Sequence, residues 1–121
     1  MSTIKVTTIQ DTSGGNSSTT EEIFEGRAKV WCKWNSSTGT PTIDNDFNVN
    51  SLDDLGIGYV RVNFSSALSN SNYAIACGNN LGNSATTQVI SAVSTTSFEV
   101  TLRYDGGGVY DVSYNSVIVM E

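Results

Sequence analysis

Asp44 with Asp46, and Asp53 with Asp54, are closely spaced carboxylates, and paired carboxylates are the acid–base device of glycoside hydrolysis. In such an enzyme one carboxyl protonates the leaving oxygen while the other activates water or attacks the sugar. Here all four aspartates fall in stretches rich in Asn and Gly, which predict loops where acidic residues serve turns and solubility. The chain has no His. That removes Ser–His and Cys–His nucleophile pairs and most catalytic zinc sites. No catalytic residue is assigned and the protein is read as not an enzyme, with polysaccharide trimming by the aspartates kept as the weakest alternative.

Metal chemistry fares no better. Asp44-Asn45-Asp46-Phe47-Asn48 begins like a calcium loop, but Val49 stands where Gly is needed and Leu55 where the bidentate Glu belongs. Cys32 and Cys77 are far apart and lie on the apolar parity of alternating runs, so they read as buried free thiols; a disulfide formed after release from the cell is the alternative. No metal and no cofactor is expected.

Aromatic side chains offer a different chemistry. Trp31 shares the parity of Lys29 and Lys33, and so faces outward or into a subunit contact. Tyr104 and Tyr110 bracket the Gly106-Gly107-Gly108 turn. Aromatic rings beside Asn, Ser and Asp suit a saccharide, since a ring covers the apolar face of a pyranose while amides and hydroxyls meet its hydroxyl groups. Trp31, Tyr104 and Tyr110 are therefore the candidate ligand-binding residues, set against the plainer reading that each belongs to a core or an interface.

The elements that must hold these side chains are mostly strands. Val, Ile, Thr and aromatic residues are plentiful, and apolar residues alternate with polar ones through Lys29–Trp34, Tyr59–Phe64, Tyr73–Cys77, Thr87–Val93 and Phe98–Tyr104. Shorter strand segments are expected at Thr42-Ile43 and Phe47-Asn48-Val49, and Val109–Tyr114 is expected to return from the glycine turn as a strand. Gly56-Ile57-Gly58 and Gly78-Asn79-Asn80 mark turns. Ser116–Met120 is apolar on both faces, which places it at a sheet centre or an intersubunit seam. The fold class that follows is all-β, an antiparallel β-sandwich or jelly roll, with a short N-terminal arm and one short helix. The helix begins at Thr19, whose spacing to Glu22 makes a capping box, and stops at Gly26; Ile23 and Phe24 would plug it into the core.

Residues 1–18 read as the arm, with a linker-like stretch over 11–18, and residues 19–121 as the sandwich domain. Ile4, Val6 and Ile9 give the arm an apolar side it cannot bury alone, so they are expected to anchor it on a neighbouring subunit or a larger body. A homotrimer is expected from this arm and the two-faced strand 117–120.

Composition limits the partners. The 121 residues suit one domain, hydrophobic residues make up 38% and charged residues 15%, and the net charge is −6. Nucleic-acid binding needs clustered Lys and Arg, and this chain has no such cluster, so no nucleic-acid partner is expected. No apolar run approaches the ~20 residues of a membrane span, so no membrane insertion is expected. The start, Met1-Ser2-Thr3-Ile4-Lys5-Val6, lacks the apolar core of a signal peptide; synthesis in a cytosol and release by lysis are expected.

From Gly26-Arg27-Ala28-Lys29-Val30-Trp31, through Phe47-Asn48-Val49-Asn50-Ser51-Leu52, to Gly58-Tyr59-Val60-Arg61-Val62-Asn63-Phe64 and Asn72-Tyr73-Ala74, the chain resembles a domain of marine bacteriophages, including cyanophages, over roughly residues 26–77. Ile4-Lys5-Val6-Thr7-Thr8-Ile9-Gln10 is similar to the opening of such proteins. The resemblance implies a tail-fibre-type structural protein of the virion, made in the host cytoplasm. Such a protein is commonly trimeric, joined to other virion proteins and in contact with a host-surface glycan. A collar, neck or capsid decoration without receptor binding is the alternative. The motif residues are core and turn positions, so no binding residue is carried over. Domains of this type often cap longer fibre chains; a chain of this length starting at Met1 leads one to expect a small accessory role.

Overall fold

The computed structural model describes residues 1–15, 17–80, 86–104 and 106–121. Period-two alternation becomes strand wherever one parity is apolar. In β3 (Val30–Asn35), Val30, Cys32 and Trp34 point into the core while Trp31 and Lys33 point away. β6 (Tyr59–Phe64) does the same with Val60, Val62 and Phe64, and β9 (Ser97–Tyr104) with Phe98, Val100 and Leu102. Each such side chain, taken fully out of water, stabilises the fold by roughly 1.5–3 kcal/mol before conformational entropy is counted.

The other strands complete two sheets. They are β4 (Thr42–Phe47), β5 (Val49–Gly56), β7 (Ala74–Asn79), β8 (Thr86–Ser91) and β10 (Asn115–Met120). One four-stranded antiparallel sheet has the order β4-β3-β10-β7, and the other β5-β6-β9-β8. They pack as a sandwich, the first of the two expected architectures, with consecutive strands β3–β4, β5–β6 and β8–β9 each paired inside one sheet. Phe64, Tyr73 and Phe98 meet at the core centre with ring centroids 5.8–6.4 Å apart, in the tilted and edge-on arrangements aromatic rings prefer. Trp34 is 2% exposed, and its indole N–H has no hydrogen-bond partner among the described residues, a cost of about 1–3 kcal/mol against the gain from its ring.

Several expectations are corrected. Asp44, Asp46, Asp53 and Asp54 lie on edge strands β4 and β5, not in loops. Phe47-Asn48-Val49 is the corner where the chain passes from one sheet to the other, turned by Asn48 at φ 58°. Val109–Tyr114 is not a strand: a single bridge, Arg103 with Val109, is followed by an irregular connection. β7 runs on through Gly78 and Asn79 before turning. β10 lies inside its sheet with Val117 and Val119 in the core, but its other face is open, Ile118 being 47% exposed.

The N-terminal region also differs in detail. The linker-like stretch contains a small hairpin, β1 (Thr8–Gln10) with β2 (Ser17–Thr19), whose turn is held by Asp11 Oδ1 accepting from the Ser13 and Gly15 N–H groups. Asn16, inside that stretch, lies outside the described residues. The helix α1 (Thr20–Glu25) starts at Thr19 with both halves of the capping box formed and ends at Gly26. It does not plug into the core. Ile23 and Phe24 are exposed, and Phe24 instead carries cations: Lys29 Nζ sits 3.3 Å and the Arg27 guanidinium 5.1 Å from its ring centroid. Lys29 is thus buried ahead of β3 rather than displayed beside Trp31 and Lys33. Ile4, Val6 and Ile9 are all exposed, Ile4 at 87%.

Candidate functional site

Strand direction gives the sandwich two unlike ends. β3 begins where β10 finishes, with Val30 opposite Val119, and Lys29 N–H donates to Val119 O at 2.8 Å. At this end α1, the corner at Asn48, the 66–69 loop and the C-terminus surround a groove of about 590 Å³ lined by Phe24, Arg27, Lys29, Phe47, Leu68 and Glu121. Asn48 ties the parts together. Its Nδ2 donates to Lys29 O and Ser66 O at 3.3 and 3.1 Å, and its Oδ1 accepts from Ser66 N–H at 2.8 Å. The Glu121 carboxylate accepts from Ser69 Oγ and from the Asn70 N–H, and the Ser69 bond in particular holds its carboxyl below the ordinary value.

The opposite end carries the tyrosines. Tyr104 and Tyr110 meet edge to face with centroids 5.4 Å apart. The triple glycine lets the turn fold around the Tyr104 ring: a Cβ on Gly106 would stand 2.6 Å from Tyr104 Cζ, and one on Gly108 3.2 Å from Tyr104 Cδ1. Gly107 N–H donates to Tyr104 O at 2.8 Å and Tyr104 N–H to Gly108 O at 3.0 Å, which closes the turn. Tyr110 is 43% exposed, with Val109 and Ile57 exposed beside the same turns. Asp111 then caps the β5–β6 turn by accepting from the Gly58 N–H at 2.8 Å. Further along the connection, Val112 O accepts from Ser36 N–H at 2.9 Å, and Tyr114 and Asn80 bond reciprocally at 3.2 and 3.0 Å. Backbone groups that a strand would have satisfied are satisfied here by neighbouring loops, so the connection is ordered without being a strand.

Trp31 is not part of this cluster. It stands on the outer face of the β4-β3-β10-β7 sheet, in register with Phe47 on one side and Ile118 on the other, and Ile118 is in turn opposite Ala76. That row crosses all four strands, with Phe47 53% exposed. The structure therefore brings together Tyr104 and Tyr110 of the three candidate ligand-binding residues and leaves Trp31 in an apolar row of its own. Sequence reasoning missed Ile57, Gly58 and Asp111 at the tyrosine end. The signal available for Gly58 was its place in a Gly-x-Gly turn, whereas its partnership with Asp111 joins residues 53 positions apart in sequence.

The remaining polar side chains are occupied structurally. Lys33 pairs with Asp44 at 2.6 Å, Asp46 Oδ2 accepts from Val49 N–H, and Asp54 Oδ1 accepts from Gly56 N–H. Glu99, buried on the outer face of the second sheet, accepts from Tyr59 Oη and from Arg61 Nη2. These bonds, Tyr59 first, hold its carboxyl below the ordinary value and raise the Tyr59 hydroxyl. Burial pushes the Cys32 thiol up to about 12 and the half-buried Cys77 thiol to about 11. Both are free; they flank Val117 from the two sides of β10, about 9.5 Å apart by strand spacing, too far for a disulfide. Among the described residues no group of three or more His, Cys, Asp or Glu could hold a metal ion, and no helix is long and apolar enough to cross a membrane.

No protein-family model, curated protein or solved structure matches the chain.

Proposed function

We propose that the protein is a bacteriophage virion structural protein of tail-fibre type, a homotrimer joined to other virion proteins and contributing to attachment at a host-surface glycan. The observation that carries this reading is the polarity of the sandwich. The helix, both chain termini's attachment points and the Asn48 clamp gather at one end, while paired tyrosines on glycine turns occupy the other. A domain joined to a particle at its arm end presents the tyrosine end outward. There the Tyr110 ring supplies an apolar face for a pyranose, and the tyrosine hydroxyls with the backbone of the adjoining glycine turns supply hydrogen-bond partners.

Gold-labelled antibody to the recombinant protein, applied to intact particles of the source phage, tests the reading. Gold at the tail periphery is expected. Gold over head or neck would turn the function to decoration, and absence of gold from every particle, with the protein present in the lysate, would overturn the assignment. The attachment half is tested separately: Tyr110→Ala should lower adsorption of the recombinant protein to host cells at least tenfold while leaving its melting temperature within a few degrees.

A further inference from the structure

The sandwich has two open edges, and they are built differently. On one, β4 and β5 carry Asp44, Asp46, Asp53 and Asp54 and are broken by register shifts, at Lys33/Trp34 opposite β4 and at Val49/Ser51 and Asp54/Gly56 in β5. Charge and bulges are the devices that stop an edge strand from recruiting another chain. On the other edge, β7 (Ala74-Ile75-Ala76-Cys77-Gly78-Asn79) and β8 (Thr86-Thr87-Gln88-Val89-Ile90-Ser91) carry no charge and no Pro, and each pairs with its inner neighbour over six residues without a shift. Among the described residues, the edge made by β7 and β8 therefore lacks the charges and bulges of the other, although Gly78 O accepts from Gln88 Nε2 at 3.4 Å.

The same chain contains an extended segment with the opposite deficiency. Residues 1–6 belong to no strand and make no backbone hydrogen bond with the described residues, yet Ile4 and Val6 alternate with polar residues as in a strand. Both stand exposed, so the chain's own sandwich does not take them up.

We infer that residues 1–6 of one copy add as a further strand to the β7 edge of a second copy, joining copies of this chain by strand exchange. β7 fits better than β8. Ile75 and Cys77 lie opposite the buried Val119 and Val117, so they point to the core rim and are only half-buried. Ile4 and Val6 have the same two-residue spacing and would close over them. Lys5 would then fall on the outer face with Ala74 and Ala76, small side chains that leave it room and bring no like charge. Main-chain hydrogen bonds supply the affinity in such an addition, and the alternate side chains supply the register. The inference refines how copies join within the proposed fibre reading, and its failure would leave the attachment role of the tyrosine end untouched.

The 121-residue protein at roughly 50 µM, well above a micromolar dissociation constant, should show a multimeric mass by light scattering. The double variant Ile4→Asp/Val6→Asp should be monomeric with an unchanged melting temperature, because the arm lies outside the sandwich. Ala76→Lys, which places a charge on the β7 edge, should weaken association in the same direction. Hydrogen exchange gives an independent readout: the β7 amides that point away from β10 should be protected in the wild-type oligomer and exchange at least tenfold faster in the arm variant, while β10 amides stay protected in both. A monomeric wild-type protein would overturn the inference. So would an oligomer whose mass and β7 protection survive the arm substitutions.

Discussion

At the residue scale, the most consequential polar group is Glu99, buried on the outer face of the second sheet and held by Tyr59, Arg61 and Ser91. Its folded-state carboxyl lies below the ordinary Glu value of 4.5, chiefly through the Tyr59 hydrogen bond and then through Arg61. A carboxyl depressed on folding adds stability that is fully present above its unfolded value and is lost as pH falls through the folded one. Melting temperature should therefore hold from neutral pH down to the mid-fours and then decline. Glu99→Gln keeps the shape and loses the charge, so it should melt lower at pH 7 and show a flatter decline below pH 4.5. Parallel melts across this range decide it; equal slopes for the two proteins would mean that Glu99 does not carry the acid sensitivity.

Elements explain what was legible in the sequence and what was not. β3, β6 and β9 are readable because one parity is strongly apolar and the sandwich buries that parity. The capping box and its Gly stop are readable because they are local. Edge strands β4 and β5 look like loops because an edge tolerates Asp and Asn, which alternation alone cannot distinguish from a turn. Val109–Tyr114 looks like a strand because Val109, Val112 and the tyrosines are β-prone, yet its bonding partners are loops far off in sequence, Gly58 and Ser36. Pairing of Tyr104 with Tyr110 was legible from the glycines between them; their separation from Trp31 depends on strand order, which no local pattern encodes. The junction at Gly58 can be tested directly. Gly58 has φ +64°, and a Cβ there would stand 2.7 Å from both Tyr110 N and Tyr110 O, whereas Gly107 has φ +82° with nothing within 4 Å. Gly107→Ala should cost about 1–2 kcal/mol for the left-handed backbone alone. Gly58→Ala should cost a further ~1–3 kcal/mol for the collision. Denaturant unfolding measures both, and equal losses would show that the β5–β6 turn yields without moving the Tyr110 segment.

For the whole molecule, charge limits the form that the proposed contact with a host surface can take. Six basic against twelve acidic residues leave a net −6, and of the basic groups Lys33 and Arg61 are tied to carboxylates while Lys29 is buried on Phe24. The cations of the Phe24 groove lie at the arm end, while the exposed Arg103, bridged to Val109, stands beside the tyrosines. A bacterial surface rich in acidic glycans would repel such a protein at long range, so the proposed attachment requires short-ranged attraction: ring faces on sugar rings and hydrogen bonds within contact distance. Salt separates these cases, because screening shortens from about 10 Å at 0.1 M to about 3 Å at 1 M and leaves contact interactions nearly unchanged. Adsorption of the recombinant protein to host cells should be equal or stronger at about 0.5 M NaCl than at about 0.05 M, since salt removes only repulsion. A protein held by a basic patch would lose affinity steeply over the same interval. If adsorption falls with salt and Tyr110→Ala does not alter it, attachment runs through exposed cations such as Arg27 or Arg103, and the role given to the tyrosine rings is wrong.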